Sequence, residues 1–269
     1  MLLPRRKLKR LLITMLLPML LTLFLLTPFY LLYKPPTLLI RYFQHRWPDT
    51  LWHVPLPTSQ KLLALTLDDA PSTHTPEIRS LLAANSAKAT FFLIGSQIPG
   101  REGELHELVR AGHELANHAM RDEPSRSLSD GELEAQVGAV QDRIRAAYSA
   151  VGVREPVERW FRPGSGFFSE RMRGLLGRLG YRIVLGSVYP HDAQVGWWWV
   201  NARHILSMVR PGSIVICHDR REWTVPMLRY VLPELRRRGY EIVTVSELVR
   251  AGNALSQPGG GGGLDLISI

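Results

Sequence analysis

The sequence predicts an α/β domain built on a mostly parallel sheet or barrel, carried behind one apolar membrane helix. Three observations point there. Short apolar runs alternate with helical patterns over about 190 residues, the order that a parallel sheet requires. Polar, chemistry-bearing residues fall just after several of those runs, where barrel enzymes carry their catalytic groups. A charge-free stretch, residues 11–33, precedes the alternating region.

That stretch reads LLITMLLPMLLTLFLLTPFYLLY. As a helix it reaches roughly 35 Å, enough to span a bilayer. Pro18 and Pro28 weaken it, but membrane spans tolerate proline. Arg5, Arg6, Lys7, Lys9 and Arg10 precede it, so the positive-inside bias puts the N-terminus in the cytoplasm and the body on the lumenal or extracellular side. The alternative is a cleaved signal peptide, which needs a shorter apolar core and small residues at the cut. No alanine precedes Ala64 and no glycine precedes Gly95, so 1–33 reads as an uncleaved leader and anchor. Residues 34–60 read as a stem, because KPP, WPD and VPLP interrupt regular elements.

The body runs over 61–252. Its order is the apolar run LLALTL, a helix around Thr75–Ser86, ATFFLIG, a helix over Gly103–Ala111, HELANH, and a long helix near Ser129–Val151. Ser129 and Glu132 have the spacing of a capping box at the start of that helix. YRIVLGS, GSIVICH and YEIVTVS follow, with helical stretches between and after them. Residues 253–269, NALSQPGGGGGLDLISI, are glycine-rich and expected to be disordered.

Composition removes some functions. A hydrophobic content of 45% permits a full core, and the net charge of +9 first suggests nucleic acid. The excess sits in the leader and stem, where eight basic residues face one acid, Asp49. The body is close to neutral, whereas a nucleic-acid footprint belongs on the folded domain. No nucleic-acid partner is expected. Cys217 is the only cysteine, so no internal disulfide can form.

Five polar pieces stand out. Asp68 and Asp69 end the run LTLDDAPS; adjacent carboxylates repel, so a metal-and-proton division of labour is one reason for them and a loop start is another. His118 lies in GHELANHAMRD with Asp122 four residues on, a spacing that puts both on one face of a helix and lets them bind one ion. Arg162 opens RPGSGFF, a turn-rich segment whose backbone N–H groups suit a ligand. Asp192 lies in YPHD, and His218 follows the apolar run SIVIC. Each has an ordinary structural reading alone; together they are the groups that hydrolysis needs. His74, His113 and His191 have no partner in the sequence and read as structural.

The body, from about Lys61 to Gly252, resembles the polysaccharide deacetylases with a NodB-type domain, carbohydrate esterase family 4, of the chitin deacetylase kind. LTLDDAPS is similar to the family's first motif, and KATFFLIG to the strand that follows it. GHELANHAMRD resembles the second motif, RPGSGFF the third and ICHD the fifth. The resemblance implies a distorted (β/α) barrel, a divalent metal (zinc in most members, other divalent ions being possible) and removal of N-acetyl groups from a chitin-like polysaccharide. By motif position Asp69, His118 and Asp122 would hold the metal. Asp68 would be the general base, paired with Arg162, and His218 the acid. A backbone N–H near Ser165 would stabilise the oxyanion, and Ile216 would help line an acetyl pocket. Two motifs depart from the pattern. Asp122 stands where the family has histidine, making a harder and more negative ligand set. The fourth motif lacks its usual Asp-Trp at YPHDAQ, which leaves Asp192 without an assigned role. Alternatives are an O-acetyl esterase on acetylated polysaccharide, a membrane-anchored inactive sugar-binding homologue, and a structural single-span protein.

Overall fold

The computed structural model describes residues 5–256. It divides the chain into two units, one ending at Tyr42 and one beginning at Phe43. The first is dominated by helix α1 (Arg5–Tyr33), which contains Pro18 and Pro28. Its part Ile13–Tyr33 has a mean hydropathy of 2.1 and is long and apolar enough to cross a membrane. The glycine-rich tail lies outside the described residues, apart from its first four positions, which continue the last helix.

The stem is more regular than its prolines suggest. Helix α2 (Thr37–Arg46) begins directly after Pro36, and strand β1 (Thr50–Leu51) follows Pro48. The prolines punctuate these elements; they do not abolish them.

The body alternates as expected: β2 (Leu62–Ala70), α3 (Thr75–Ala84), β3 (Ala89–Leu93), α4 (Glu102–Arg110), β4 (Glu114–Asn117), α5 (Asp130–Ala150), β5 (Arg159–Phe161), α6 (Glu170–Arg178), β6 (Tyr181–Val184), α7 (Trp198–Met208), β7 (Ile214–His218), α8 (Thr224–Arg237), β8 (Glu241–Val243) and α9 (Val245–Ser256). The capping box on α5 is formed, with Ser129 and Glu132 bonding each other's backbone N–H. The sheet order is β1-β6-β5-β4-β3-β2-β7, with β8 beside the first half of β2, and the ladders are parallel. Helices cover its outer face, so β2 and β3 are buried on both sides and read as nearly continuous apolar runs. Phe91, Phe92, Phe161, Leu63 and Leu67 are fully buried there.

The two sheet edges approach each other. Val188, just past β6, bridges Val215 of β7, and His53, just past β1, bridges Ser213. The sheet therefore curls into a distorted barrel. Because its ladders are parallel, the C-terminal ends of the strands meet at one mouth.

Candidate active site

The pair Asp68–Asp69 sits in an irregularity of β2. Leu67 pairs with Phe91 and Ala70 with Leu93, so two residues of β2 oppose one residue of β3. In a regular strand adjacent side chains point to opposite faces. The bulge, with Asp69 at φ 61°, lets both carboxylates line one cleft. Asp69, Ala119, Ser165 and His191 are four of the five non-glycine residues with positive φ among the described residues, and all four stand in or beside site segments. Such backbone persists where surrounding structure enforces it.

Arg162 follows β5 and is buried beneath the pair. Its Nη1 donates to Asp68 Oδ1 at 2.5 Å and to Thr66 Oγ1 at 2.7 Å. Its Nε and Nη2 donate to the carbonyls of Val184 and Leu185 at 3.0 and 2.9 Å, and its guanidinium lies 4.0 Å from the centre of the Phe92 ring. Burial pushes the Arg162 pKa down and the Asp68 carboxylate pushes it back up. Every guanidinium nitrogen is engaged, so Arg162 fixes Asp68 in place.

His118 follows β4. Its Nδ1 lies 2.6 Å from the Arg162 carbonyl, which can only accept, so Nδ1 carries the proton. The other ring nitrogen, Nε2, faces the cleft wall 3.8 Å from Asp69 Oδ1. Asp69 Oδ2 is buried without a hydrogen-bond partner, with the Arg221 guanidinium 3.6 Å away. Burial raises the Asp69 pKa; His118 and His218 lower it, and Asp122 and Asp68 add to the rise. An orphaned carboxylate oxygen and an oriented imidazole nitrogen on one cleft wall fit a divalent cation.

Asp122 lines the same cleft but does not gather with them. Among the described residues no three His, Cys, Asp or Glu side chains are grouped to hold an ion. Asp122 is 45% exposed and stands 3.7 Å from Arg220 Nη2. The expectation of one helical face fails for a local reason. Residues 118–122 are not helical, and Ala119, at φ 62°, turns the chain immediately after His118. The i, i+4 geometry does not apply there.

His218 ends β7, level with Asp68 in the ladder. Asp192, fully buried, accepts from His218 Nδ1 at 2.9 Å through one oxygen and from the His218 backbone N–H at 2.8 Å through the other. Trp223 Nε1 donates to the Asp192 carbonyl at 2.8 Å. Burial opposes a charge on His218, but Asp192, with Asp68 and Asp69, outweighs it and pushes the pKa up to about 9. Sequence reasoning left Asp192 unassigned because it lies 26 residues before its partner, a distance at which spacing carries no signal. The next residue, Asp219, is a brace: its carboxylate accepts from Ser72 N and Ser72 Oγ, both at 3.1 Å, and from the Thr75 hydroxyl.

The cleft has a volume of about 470 Å³. Asp68, Asp69, His118, Asp122, Arg162 and His218 line it, as do Ser165 and Ile216. Trp52, Tyr189, Gln194 and Arg221, which the sequence gave no reason to choose, complete the wall. Gly186 is there because a Cβ would come within 2.8 Å of the Ile214 carbonyl.

The comparison with known proteins decides the family. Residues 56–184 match the family model for polysaccharide deacetylase. The chain is 33% identical over 211 residues to a peptidoglycan-N-acetylglucosamine deacetylase of Bacillus cereus, covering 74% of this chain and 92% of that protein. This chain belongs to the NodB-type polysaccharide deacetylases, carbohydrate esterase family 4. A chitooligosaccharide deacetylase of Bradyrhizobium is 30% identical over 68% of this chain and 89% of its own. Among solved structures, a mutant of BA3943, a family 4 pseudoenzyme with restored enzymatic activity, superposes with a TM-score of 0.66 at 25% identity, over 74% of this chain and 71% of that one. Members of this family are generally metal-dependent, in keeping with the Asp69–His118 wall.

Proposed function

We propose that this deacetylase is a metal-dependent hydrolase that removes N-acetyl groups from N-acetylglucosamine units of a polysaccharide, chitin-like in its sugar, on the far side of the membrane that α1 anchors it to. The observation that carries the reading is the pairing of two held groups at one mouth, Asp68 on Arg162 and His218 on Asp192. The Bacillus cereus relative is a peptidoglycan-N-acetylglucosamine deacetylase and the Bradyrhizobium relative a chitooligosaccharide deacetylase.

Asp69 and His118 would hold the ion, zinc or another divalent cation, with Asp122 as the third candidate in competition with Arg220. A divalent ion bound there acts as a Lewis acid, making water more acidic and polarising the acetyl carbonyl. Asp68 takes the proton from the attacking water as its oxygen bonds to the acetyl carbon. A backbone N–H near Ser165, which lines the cleft, would stabilise the developing oxyanion, a donation worth roughly 3–4 kcal/mol in such sites. Ile216 and Leu185 shape the acetyl pocket. As the C–N bond breaks, His218 gives its proton to the leaving amine, and acetate and a free amino sugar result. The test is acetate release from chitooligosaccharides and from acetylated xylan, with metal removed and restored. Release from xylan alone would favour an O-acetyl esterase.

A second reading, an inactive glycan-binding homologue, rests on the Asp122–Arg220 pair and on the likeness to a pseudoenzyme scaffold. Absence of acetate release from every acetylated glycan, with glycan binding retained, would establish it.

A further inference from the structure

The segment Gly196–Val200 reads GWWWV, and none of the chemistry above uses its rings. Trp197 is 62% exposed and Trp199 54%; Tyr230, on α8, is 56% exposed. The Trp197 and Trp199 rings are stacked, 6.5 Å between centroids and 21° between planes. Trp198 packs against Tyr230 at 6.1 Å. Between α7 and α8 lies a groove of about 480 Å³, walled by Trp198, Trp199 and Tyr230, with Arg203 and Arg238 along it. Arg238 is engaged by Glu234 at 2.8 Å. Arg203 is exposed and has no carboxylate partner among the described residues.

Exposing two stacked indoles is unfavourable unless something covers them. The groove belongs to the same part of the fold as the cleft. Ala193 and Gln194 of the preceding loop line the cleft, and Asp192 in that loop holds His218. Gly196 lies under Trp223, where a Cβ would come within 3.2 Å of the indole, and the same indole holds the Asp192 carbonyl. Trp197 follows Gln194, a residue of the cleft wall, by three positions in the chain. Flat indoles accept the C–H faces of pyranose rings, and an unpaired arginine accepts a carboxylate. A groove of that volume is within the range of ligand sites.

We propose that the α7–α8 groove, with Trp197 at its rim, is a second glycan-binding site that grips a carboxylate-bearing stretch of the substrate polysaccharide outside the catalytic cleft. This rests on the polysaccharide reading given above, and the test separates the two. Full-length protein in detergent is compared with Trp197→Ala/Trp199→Ala and with Arg203→Gln. Peptidoglycan sacculi, which carry carboxylates, and neutral chitohexaose serve as probes of binding; acetate release from chitotriose reports the cleft. The aromatic double variant is expected to bind sacculi at least tenfold more weakly while chitotriose turnover stays within twofold. Arg203→Gln should weaken binding to sacculi severalfold and leave chitohexaose binding unchanged. Unchanged binding of sacculi by the double variant overturns the proposal, as does a parallel fall in chitotriose turnover. So does indole quenching by brominated lipid in proteoliposomes that vanishes in the double variant, which would assign the patch to a bilayer. Aromatic-dependent binding in a wild-type protein that releases no acetate would refute the activity and leave the groove standing.

Discussion

Replacing Asp192 by Asn should move the alkaline limit of activity, and the size of the move follows from the site. In the proposed mechanism His218 is the acid, so it must hold its proton when the amine leaves, and activity should fall as pH rises through its pKa. That pKa stands at about 9 against an ordinary 6.5, because Asp192 faces the ring from 2.9 Å and Asp68 and Asp69 add to its field. The difference is worth about 3 kcal/mol. Asn keeps an oxygen for the His218 backbone N–H but removes the charge, and burial then favours the neutral ring. At pH 8 a group of pKa 9 is mostly protonated, whereas one at 6.5 is about 3% protonated, so kcat/KM should fall roughly 30-fold there. At pH 5.5 both are mostly protonated and the deficit should shrink to a few-fold. Acetate release across pH 5–10 measures this. An alkaline limb that stays near pH 9 in Asp192→Asn would refute the reasoning, as would a deficit equal at all pH values.

Asp68→Asn and His218→Ala should each lower turnover at least 100-fold with metal content little changed, because each removes a proton-transfer partner; acetate assays and elemental analysis check it, on protein whose circular dichroism shows it folded, since each change also leaves a buried partner charge and lowers the melting temperature. If Asp122 is the third ligand, Arg220→Ala should tighten metal binding in a competition titration, Asp122→Ala should weaken it, and Asp122→His should retain metal and favour zinc over harder ions. His113 is buried against Phe91, accepts from Ala89 N at 3.2 Å, and its pKa is lowered to about 4 by burial, with Lys88 and Arg79 adding to the effect. The neutral ring's stabilisation is complete above the unfolded value of 6.5 and is lost as pH falls towards 4, about 3 kcal/mol in all, so denaturation midpoints should drop over that window less steeply in His113→Gln. Tags at the two ends of the chain in sealed vesicles should show the N-terminal tag on the cytoplasmic side and residues beyond about Lys34 on the other; the reverse protection pattern would overturn the topology.

The alternation of the body was legible because each strand from β2 onward with four or more residues carries an apolar run, and α5 announces itself through Ser129 and Glu132. β1 and β5 were not legible. At two and three residues they are too short for a period and, unlike the equally short β8 in YEIVTVS, they sit in no longer apolar run, so only their partners in the sheet define them. The site divides in the same way. Asp68, Asp69 and His218 lie at the C-terminal ends of β2 and β7, and His118 and Arg162 directly follow β4 and β5, so sequence order places them at one mouth. Arg221 and Trp52 line the same cleft, and Asp192 and Arg220 act on its residues through His218 and Asp122; nothing in their spacing links them to it. The helical face expected for His118 and Asp122 is absent because i, i+4 has meaning only on a helix, and the positive φ at Ala119 turns the chain there.

The bulge at Asp68–Asp69 explains why the two carboxylates are consecutive. A regular strand offers one inward position in every two residues, so neighbours would face opposite sides. Two like charges on one wall also repel, which favours separating them. Here each receives its own counter-group from a different strand end: Arg162, after β5, grips Asp68, while Asp69 faces His118, after β4, and Arg221, after β7. The two acids therefore work in different fields although they share a peptide bond. Arg162 has no nitrogen left over, and it holds the Asp68 carboxylate in the place that the proposed mechanism gives to the base. Asp69 keeps an oxygen without a hydrogen bond, open to a cation. The division of labour lies in these partners; the bulge brings both acids within reach of one substrate.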